Sequence, residues 1–120
     1  MNRIFVTRTL PEPAMQQLAA SHLALDVWPE PGPPPYDDLL RRVAGVDGLI
    51  TLLTDRIDAG LLDAAGPQLK VISQMAVGVD NIDLTACTAR GIPVGHTPGV
   101  LSDAVADLTI GLMLATARRM

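Results

Sequence analysis

The residues best placed to do chemistry lie between Lys70 and Asp83, in the stretch KVISQMAVGVDNID. A short apolar run, Val71-Ile72-Ser73-Gln74-Met75, stops at Ala76-Val77-Gly78 and passes into the polar Asp80-Asn81-Ile82-Asp83. It reads as a buried strand feeding a tight loop, with a helix start beyond. In open α/β sheets ligands sit outside the carboxyl ends of the strands. Gly78 has no Cβ, so a ligand can approach the backbone closely and the chain is free to take a positive φ. Successive N–H groups in such a loop form a small concavity that suits an anion. Anion binding by backbone amides is the chemistry this stretch points to.

Other residues with chemical potential read more simply. His96 follows an apolar run and invites a role as general acid, but no acidic partner lies near it in sequence. His22, at a helix end, reads as an exposed or dipole-complementing residue. Cys87 falls in a helix among small residues, where a thiol packs rather than attacks. Asp80 and Asp83 resemble a metal pair, yet no third carboxylate or histidine arrives at ligand spacing. Helix capping is the better account of them, and no metal site is expected. Arg118-Arg119 reads as the finish of a helix.

Composition narrows the class. The chain of 120 residues is 48% hydrophobic, which excludes a disordered segment and is enough for one core. Phe5, Trp28 and Tyr36 are its whole aromatic set, so that core is aliphatic. Nine basic residues against thirteen acidic leave a net charge of −4. Nucleic-acid binding needs a basic stripe and often stacking rings, and neither is present. A single cysteine excludes an internal disulfide framework and fits a reducing compartment. The start, Met1-Asn2-Arg3, has no signal-peptide pattern. The longest apolar stretch, Ala104 to Ala117, is too short to span a bilayer and contains Asp107. A cytoplasmic protein without a membrane or nucleic-acid partner is expected.

The elements that would position the loop follow in order. Arg3 to Thr7 (RIFVT) is β-rich and predicts a first strand. Pro11 and Pro13 favour a helix start, and Ala14, Met15, Leu18 and Ala19 continue at helical spacing to His22. Leu23 to Trp28 predicts a second strand. Pro29 to Pro35 is a stiff surface loop, because proline lacks the N–H and fixes φ. Tyr36 to Ala44 has acids early and arginines late, the order a helix dipole favours, with Gly45 placed as a C-terminal cap. Gly48 to Leu53 is a continuous apolar run, the mark of a strand buried on both faces. Asp58 caps a short helix, Ala59 to Ala65, closed by Gly66-Pro67. After the strand at Val71 come a helix from about Asp83 to Arg90 and a short strand, Ile92 to Gly95. Strand and helix alternate with connections too long for hairpins. The pattern predicts an α/β fold with a doubly wound, parallel five-stranded sheet of flavodoxin-like type, in strand order 2-1-3-4-5.

The last helix does not fit a closed domain. From Ala104 to Ala117 it is apolar nearly all round, interrupted by Asp107, Thr109 and Thr116. Such a helix must be buried on several sides. Val105, Leu108, Ile110, Leu112 and Leu114 are each worth roughly 1.5–3 kcal/mol on burial, so exposing them forfeits on the order of 10 kcal/mol. One face can cover the sheet edge; the others need another domain or another subunit. Residues 1–100 therefore read as a lobe and 101–120 as the start of an interdomain or dimerisation helix.

In its motifs the chain resembles the N-terminal, substrate-binding part of the D-isomer-specific 2-hydroxyacid dehydrogenases, most closely the glyoxylate/hydroxypyruvate reductase branch. The matching segments are Ile4-Phe5-Val6-Thr7-Arg8, Gly48 to Asp55, Leu61 to Ala65, and LKVISQMAVGVDNIDLTACTARGIPVGHTPGVLSDAVADLT. The likeness runs over essentially the whole chain, and VGVDNID together with TPGVLSDAVAD is far more specific than a lone glycine motif. The resemblance implies an oxidoreductase that reduces a 2-oxo acid, or oxidises the D-2-hydroxy acid, with NAD or NADP. It implies that Val77 and Gly78 donate backbone N–H groups to the substrate carboxylate and that Leu53, in the Leu52-Leu53 turn, lines the pocket. It places Leu101 and Val105 near the cofactor. Where many relatives carry a threonine this chain has Val105, without the hydroxyl.

The resemblance also marks what these residues lack. The dinucleotide fingerprint Gly-x-Gly-x-x-Gly is nowhere in the sequence, since Gly95 to Gly99 has the wrong spacing. No residue matches the family's catalytic arginine, glutamate or histidine, so no catalytic residue is assigned. The nucleotide-binding domain, and the C-terminal helix that returns to complete the first domain, lie outside the 120 residues. The expected partners are that domain, a small 2-oxo or 2-hydroxy acid, and a second copy in a homodimer. The alternative is a stand-alone flavodoxin-like binding or signalling module. It lacks support in the residues: a phospho-receiver needs acids at strand ends, and an FMN carrier needs a glycine-rich phosphate loop where Thr7-Arg8-Thr9-Leu10-Pro11 has none.

Overall fold

The computed structural model describes residues 2–99 and 102–118. Its elements run β1 (Arg3–Val6), α1 (Glu12–Ala20), β2 (Ala24–Val27), α2 (Tyr36–Arg42) and β3 (Gly48–Thr51). They continue with α3 (Ala59–Ala65), β4 (Val71–Gln74), α4 (Leu84–Ala89), β5 (Val94–Gly95) and α5 (Ser102–Ala117). The five strands pair in parallel in the order β2-β1-β3-β4-β5. That is the alternation expected from the sequence, with the expected strand order.

Side chains alternate between the two faces of each strand. Register therefore places Phe5, Leu49, Ile72 and Val94 in one row across the sheet. This face packs against Leu39 and Val43 at α2, Leu61 and Leu62 of α3, and Ala86 and Cys87 of α4, forming the aliphatic core. The other face is covered unevenly. Only Ala14, Met15 and Leu18 of α1 are half-buried, and Val71, Ser73 and Met75 on β4 and just beyond it stay exposed. An open cleft of about 600 Å³ lies there between Leu18, Ile50, Ser73 and Met75. Parallel sheets are normally covered on both faces, so this half-bare face is a departure.

Several local signals act as their chemistry dictates. Asp58 caps α3, its Oδ1 accepting from the Leu61 N–H at 2.9 Å. Gly66 closes the same helix at φ +97°, a left-handed backbone, and its N–H donates to the Leu62 carbonyl. Asp83 caps α4, accepting from the Ala86 N–H at 3.0 Å, which is the capping role expected of it. His22 is exposed, as expected, but it also holds φ +60° just after α1, a conformation left to glycine at most helix ends.

Asp58 also accepts from the Tyr36 hydroxyl at 2.6 Å and pairs with the Arg56 guanidinium at 2.8 Å. Burial pushes its carboxyl up, but the bonds from Tyr36 and Leu61 and the charge of Arg56 outweigh this and hold it below the ordinary 3.8. A carboxyl depressed in the folded state stabilises the fold above its unfolded value, and that contribution is lost as pH falls through the folded value. Urea unfolding between pH 5 and pH 2 is therefore expected to show a loss of stability that begins near pH 3.8. Asp58→Ala removes the cap, costs about 1–2 kcal/mol at neutral pH and flattens that loss.

The last helix departs from expectation. Its sixteen residues span about 24 Å at the usual rise, and from Asp103 to Leu114 every one is exposed. It does not cover the sheet edge. The radius of gyration is 16.9 Å, against roughly 13.5 Å for a compact chain of this length, because α5 stands off the lobe.

Candidate functional site

The two central strands β3 and β4 end side by side, and the loops that follow them are stitched together. The Met75 N–H donates to the Thr51 carbonyl at 2.8 Å, and Ile57 pairs with Ile82 in an isolated parallel bridge. Asn81 reaches across, its Nδ2 donating to the carbonyls of Leu52 at 3.1 Å and Asp55 at 2.7 Å. Asp55 is buried and braces the turn from below, its Oδ2 accepting from the Thr7 hydroxyl and from the Leu52 N–H. Arg8 leans over the same turn and donates to the Thr54 hydroxyl at 3.0 Å.

The loop from Ala76 to Val79 has its carbonyls occupied one by one. The Ala76 carbonyl accepts from the Thr97 N–H at 2.9 Å, and the Val79 carbonyl from the Ile82 N–H at 3.0 Å. His96 Nδ1 lies 2.7 Å from the Val77 carbonyl, and Gln74 Nε2 donates to the Gly78 carbonyl at 3.0 Å. Among the described residues the N–H groups of Val77 and Gly78 have no acceptor, and both residues are exposed. Carbonyls held from the protein side and amides left free make a loop with positive character towards solvent.

Gly78 does not use the positive φ that glycine permits. A Cβ built there would meet nothing closer than Leu53 Cδ2 at 3.9 Å. Neither backbone conformation nor crowding requires glycine at this point; a Cβ would sit at ordinary contact distance from Leu53, so the space between the two is about one methyl group wide. Leu53 itself is 56% exposed, a leucine facing that space rather than the core. Val77, Gly78 and Leu53 are thus brought together. Val105 lies elsewhere, 60% exposed on α5. Leu101 lies outside the described residues.

The sequence reading missed the residues that hold this arrangement. Gln74 and Asn81 were visible only as polar residues flanking the loop, and Asp55 only as part of a matching segment. A glutamine ending a largely apolar strand is the signal the sequence offers. His96 does have a structural partner, the Val77 carbonyl, which sequence separation concealed. Cys87 is buried and its thiol is pushed up by burial and by the nearby Asp83 charge, so it is packed and unreactive. Among the described residues no group of three or more histidine, cysteine or carboxylate side chains could hold a metal ion. A hollow of about 410 Å³ beside Leu69, Arg90 and Ile92 sits at the amino ends of β4 and β5, the wrong end of the sheet for a ligand. Among the described residues no helix is long and apolar enough to cross a membrane.

The parallel sheet in this order, with loop amides that have no acceptor among the described residues beyond the carboxyl end of a central strand, defines an α/β lobe of flavodoxin-like type. The family model for the catalytic domain of D-isomer specific 2-hydroxyacid dehydrogenases matches residues 4–119, and the chain belongs to that family. It is 48% identical over 117 residues to the glyoxylate reductase of Thermococcus litoralis, covering 98% of this chain and 35% of that protein. It is 45% identical over 119 residues to the human glyoxylate reductase/hydroxypyruvate reductase, covering 98% of this chain and 36% of that protein. The crystal structure of TT0316 protein from Thermus thermophilus superposes with a TM-score of 0.89 at 51% identity, over 98% of this chain and 37% of that one. The chain thus spans about a third of the length of the relatives it matches. These relatives give no support to a stand-alone flavodoxin-like module.

Proposed function

We propose that this chain is the substrate-binding part of an NAD(P)-dependent D-2-hydroxyacid dehydrogenase of the glyoxylate/hydroxypyruvate reductase type, reducing a small 2-oxo acid. Val77 and Gly78 grip the acid's carboxylate through their N–H groups, and Leu53 forms the apolar wall opposite. The single observation that carries this reading is the loop in which every carbonyl from Ala76 to Val79 is held by the protein while the amides of Val77 and Gly78 have no acceptor among the described residues. Likeness to proteins named as glyoxylate reductases supports the choice of acid.

The residues present do not make a dinucleotide site. The segment after β1, Thr7-Arg8-Thr9-Leu10-Pro11, carries no glycine for close approach of a pyrophosphate, and the fingerprint is missing from the sequence. The nicotinamide cofactor, which supplies the hydride, is held mainly by a separate nucleotide-binding domain, with Leu101 and Val105 beside it. Residues 1–100 form the substrate lobe, and 101–120 begin the helix that links to that domain and to a second subunit. The half-bare sheet face at Ser73 and Met75 and the exposed α5 are the surfaces those parts would cover.

Two neutral donors to a carboxylate contribute roughly 1.5–3 kcal/mol each, from which association costs are subtracted. The isolated chain is expected to bind glyoxylate with a dissociation constant of about a millimolar or weaker. Amide resonances followed through a glyoxylate titration should shift at Val77 and Gly78, with no oxidation of NADH or NADPH by the chain alone. Micromolar binding, or shifts confined to other residues, would overturn the assignment.

A further inference from the structure

Behind the loop lies a pair of carboxamide side chains that bond each other as well as the loop and the neighbouring turn. Gln74 is 1% exposed at the end of β4, and every hydrogen-bonding position of its carboxamide is used. Its Oε1 accepts from the Thr51 hydroxyl at 2.9 Å and from Asn81 Nδ2 at 3.2 Å. Its Nε2 donates to the Gly78 carbonyl at 3.0 Å and to Asn81 Oδ1 at 2.5 Å. Asn81 completes the link by donating to the carbonyls of Leu52 and Asp55. We propose that the reciprocal Gln74–Asn81 carboxamide pair is a positioning device that locks the Val77-Gly78 loop to the Leu52-Leu53 turn, so that both walls of the acid-binding cleft keep one spacing.

The physical case rests on direction and satisfaction. The Gly78 carbonyl shares its peptide unit with the Val79 N–H, so anchoring it to buried Gln74 fixes that plane and, across the Gly78 Cα, limits how far the adjoining Val77–Gly78 unit that carries the Gly78 N–H can turn. The pair cannot flip cheaply. Turning the Gln74 amide over would set its oxygen against the Gly78 carbonyl and leave a buried acceptor facing an acceptor, which costs more than an ordinary lost bond. Fully satisfied buried networks hold one arrangement, and preorganised donors bind an anion without first reordering. The same side chain that orients the loop also bonds Thr51, the last residue of the strand that leads into the Leu53 turn. Gln74 and Asn81 touch no substrate in this scheme; they act through the loops.

This inference rests on the carboxylate-binding reading, and the experiment separates the two. Glyoxylate is titrated into the 120-residue chain and into Gln74→Met, Asn81→Ala and Asp58→Ala, following the Val77 and Gly78 amide resonances and the thermal midpoint of each. Asp58→Ala removes the α3 cap, which has no bond to Gln74 or Asn81. Gln74→Met and Asn81→Ala are expected to raise the glyoxylate dissociation constant about tenfold, and Asp58→Ala to leave it within about twofold while lowering the thermal midpoint comparably. If all three variants lose stability yet bind glyoxylate like the parent, the pair is only structural and the proposal fails. If the parent amides do not respond at all, the carboxylate reading itself fails. Asn81 is only half-buried, so its variant answers the question should Gln74→Met not fold.

Discussion

Gly78→Val is expected to abolish glyoxylate binding while leaving the fold intact. The backbone at Gly78 is not left-handed, and a Cβ there would meet only Leu53 Cδ2 at 3.9 Å. The free chain therefore accepts a side chain at this exposed position for within about 1 kcal/mol. The added methyl groups fill the gap between the loop and Leu53 through which a carboxylate would reach the Val77 and Gly78 amides. Losing both hydrogen bonds to a charged group, at roughly 1.5–3 kcal/mol each, amounts to a loss on the order of 100-fold or more. From a millimolar starting point no saturable shift should remain. Gly78→Ala should weaken binding less than valine, since its Cβ only meets Leu53 at ordinary contact distance and lacks the γ-methyl groups that would cover the loop amides. A valine variant that still binds glyoxylate would show that the carboxylate lies elsewhere.

The helix α5 carries the second large effect. Val105, Leu108 and Leu112 follow the spacing that puts them on one helix face, and they are 60%, 64% and 60% exposed. Burying such side chains is worth roughly 1.5–3 kcal/mol each, so the chain is expected to self-associate through this helix in solution. Sedimentation velocity should show oligomers of the unsubstituted chain and a single monomeric species for the Leu108→Glu, Leu112→Glu double variant. The association constant should fall by at least about 100-fold. A lobe that is monomeric with its leucines in place would mean that α5 is not an interface between subunits.

What the sequence determined is what depends on neighbours along the chain. Helix caps at Asp58 and Asp83, the closing glycine at residue 66 and the apolar runs of β3 and β4 each work over a few residues, and each forms where the residue types predict it. Alternation of strand and helix then leaves few topologies, because parallel crossovers are right-handed and connections are short. An apolar strand running into a glycine is also a local pattern, and it marks the Ala76-Val77-Gly78 loop that we propose as the anion site.

Tertiary structure decided what depends on distant partners. Thr7 meets Asp55 across 48 positions, Asn81 reaches Leu52 across 29, and His96 finds the Val77 carbonyl across 19. No periodicity announces such pairs, because a polar side chain shows its value only when a specific acceptor stands opposite. The same limit applies to two further features. Gly78 carries the expected residue type without the left-handed backbone, since open space above a loop is a property of what surrounds it. The helix α5 leaves the sheet edge uncovered, because hydrophobicity states that a face must be buried and is silent about the surface that buries it.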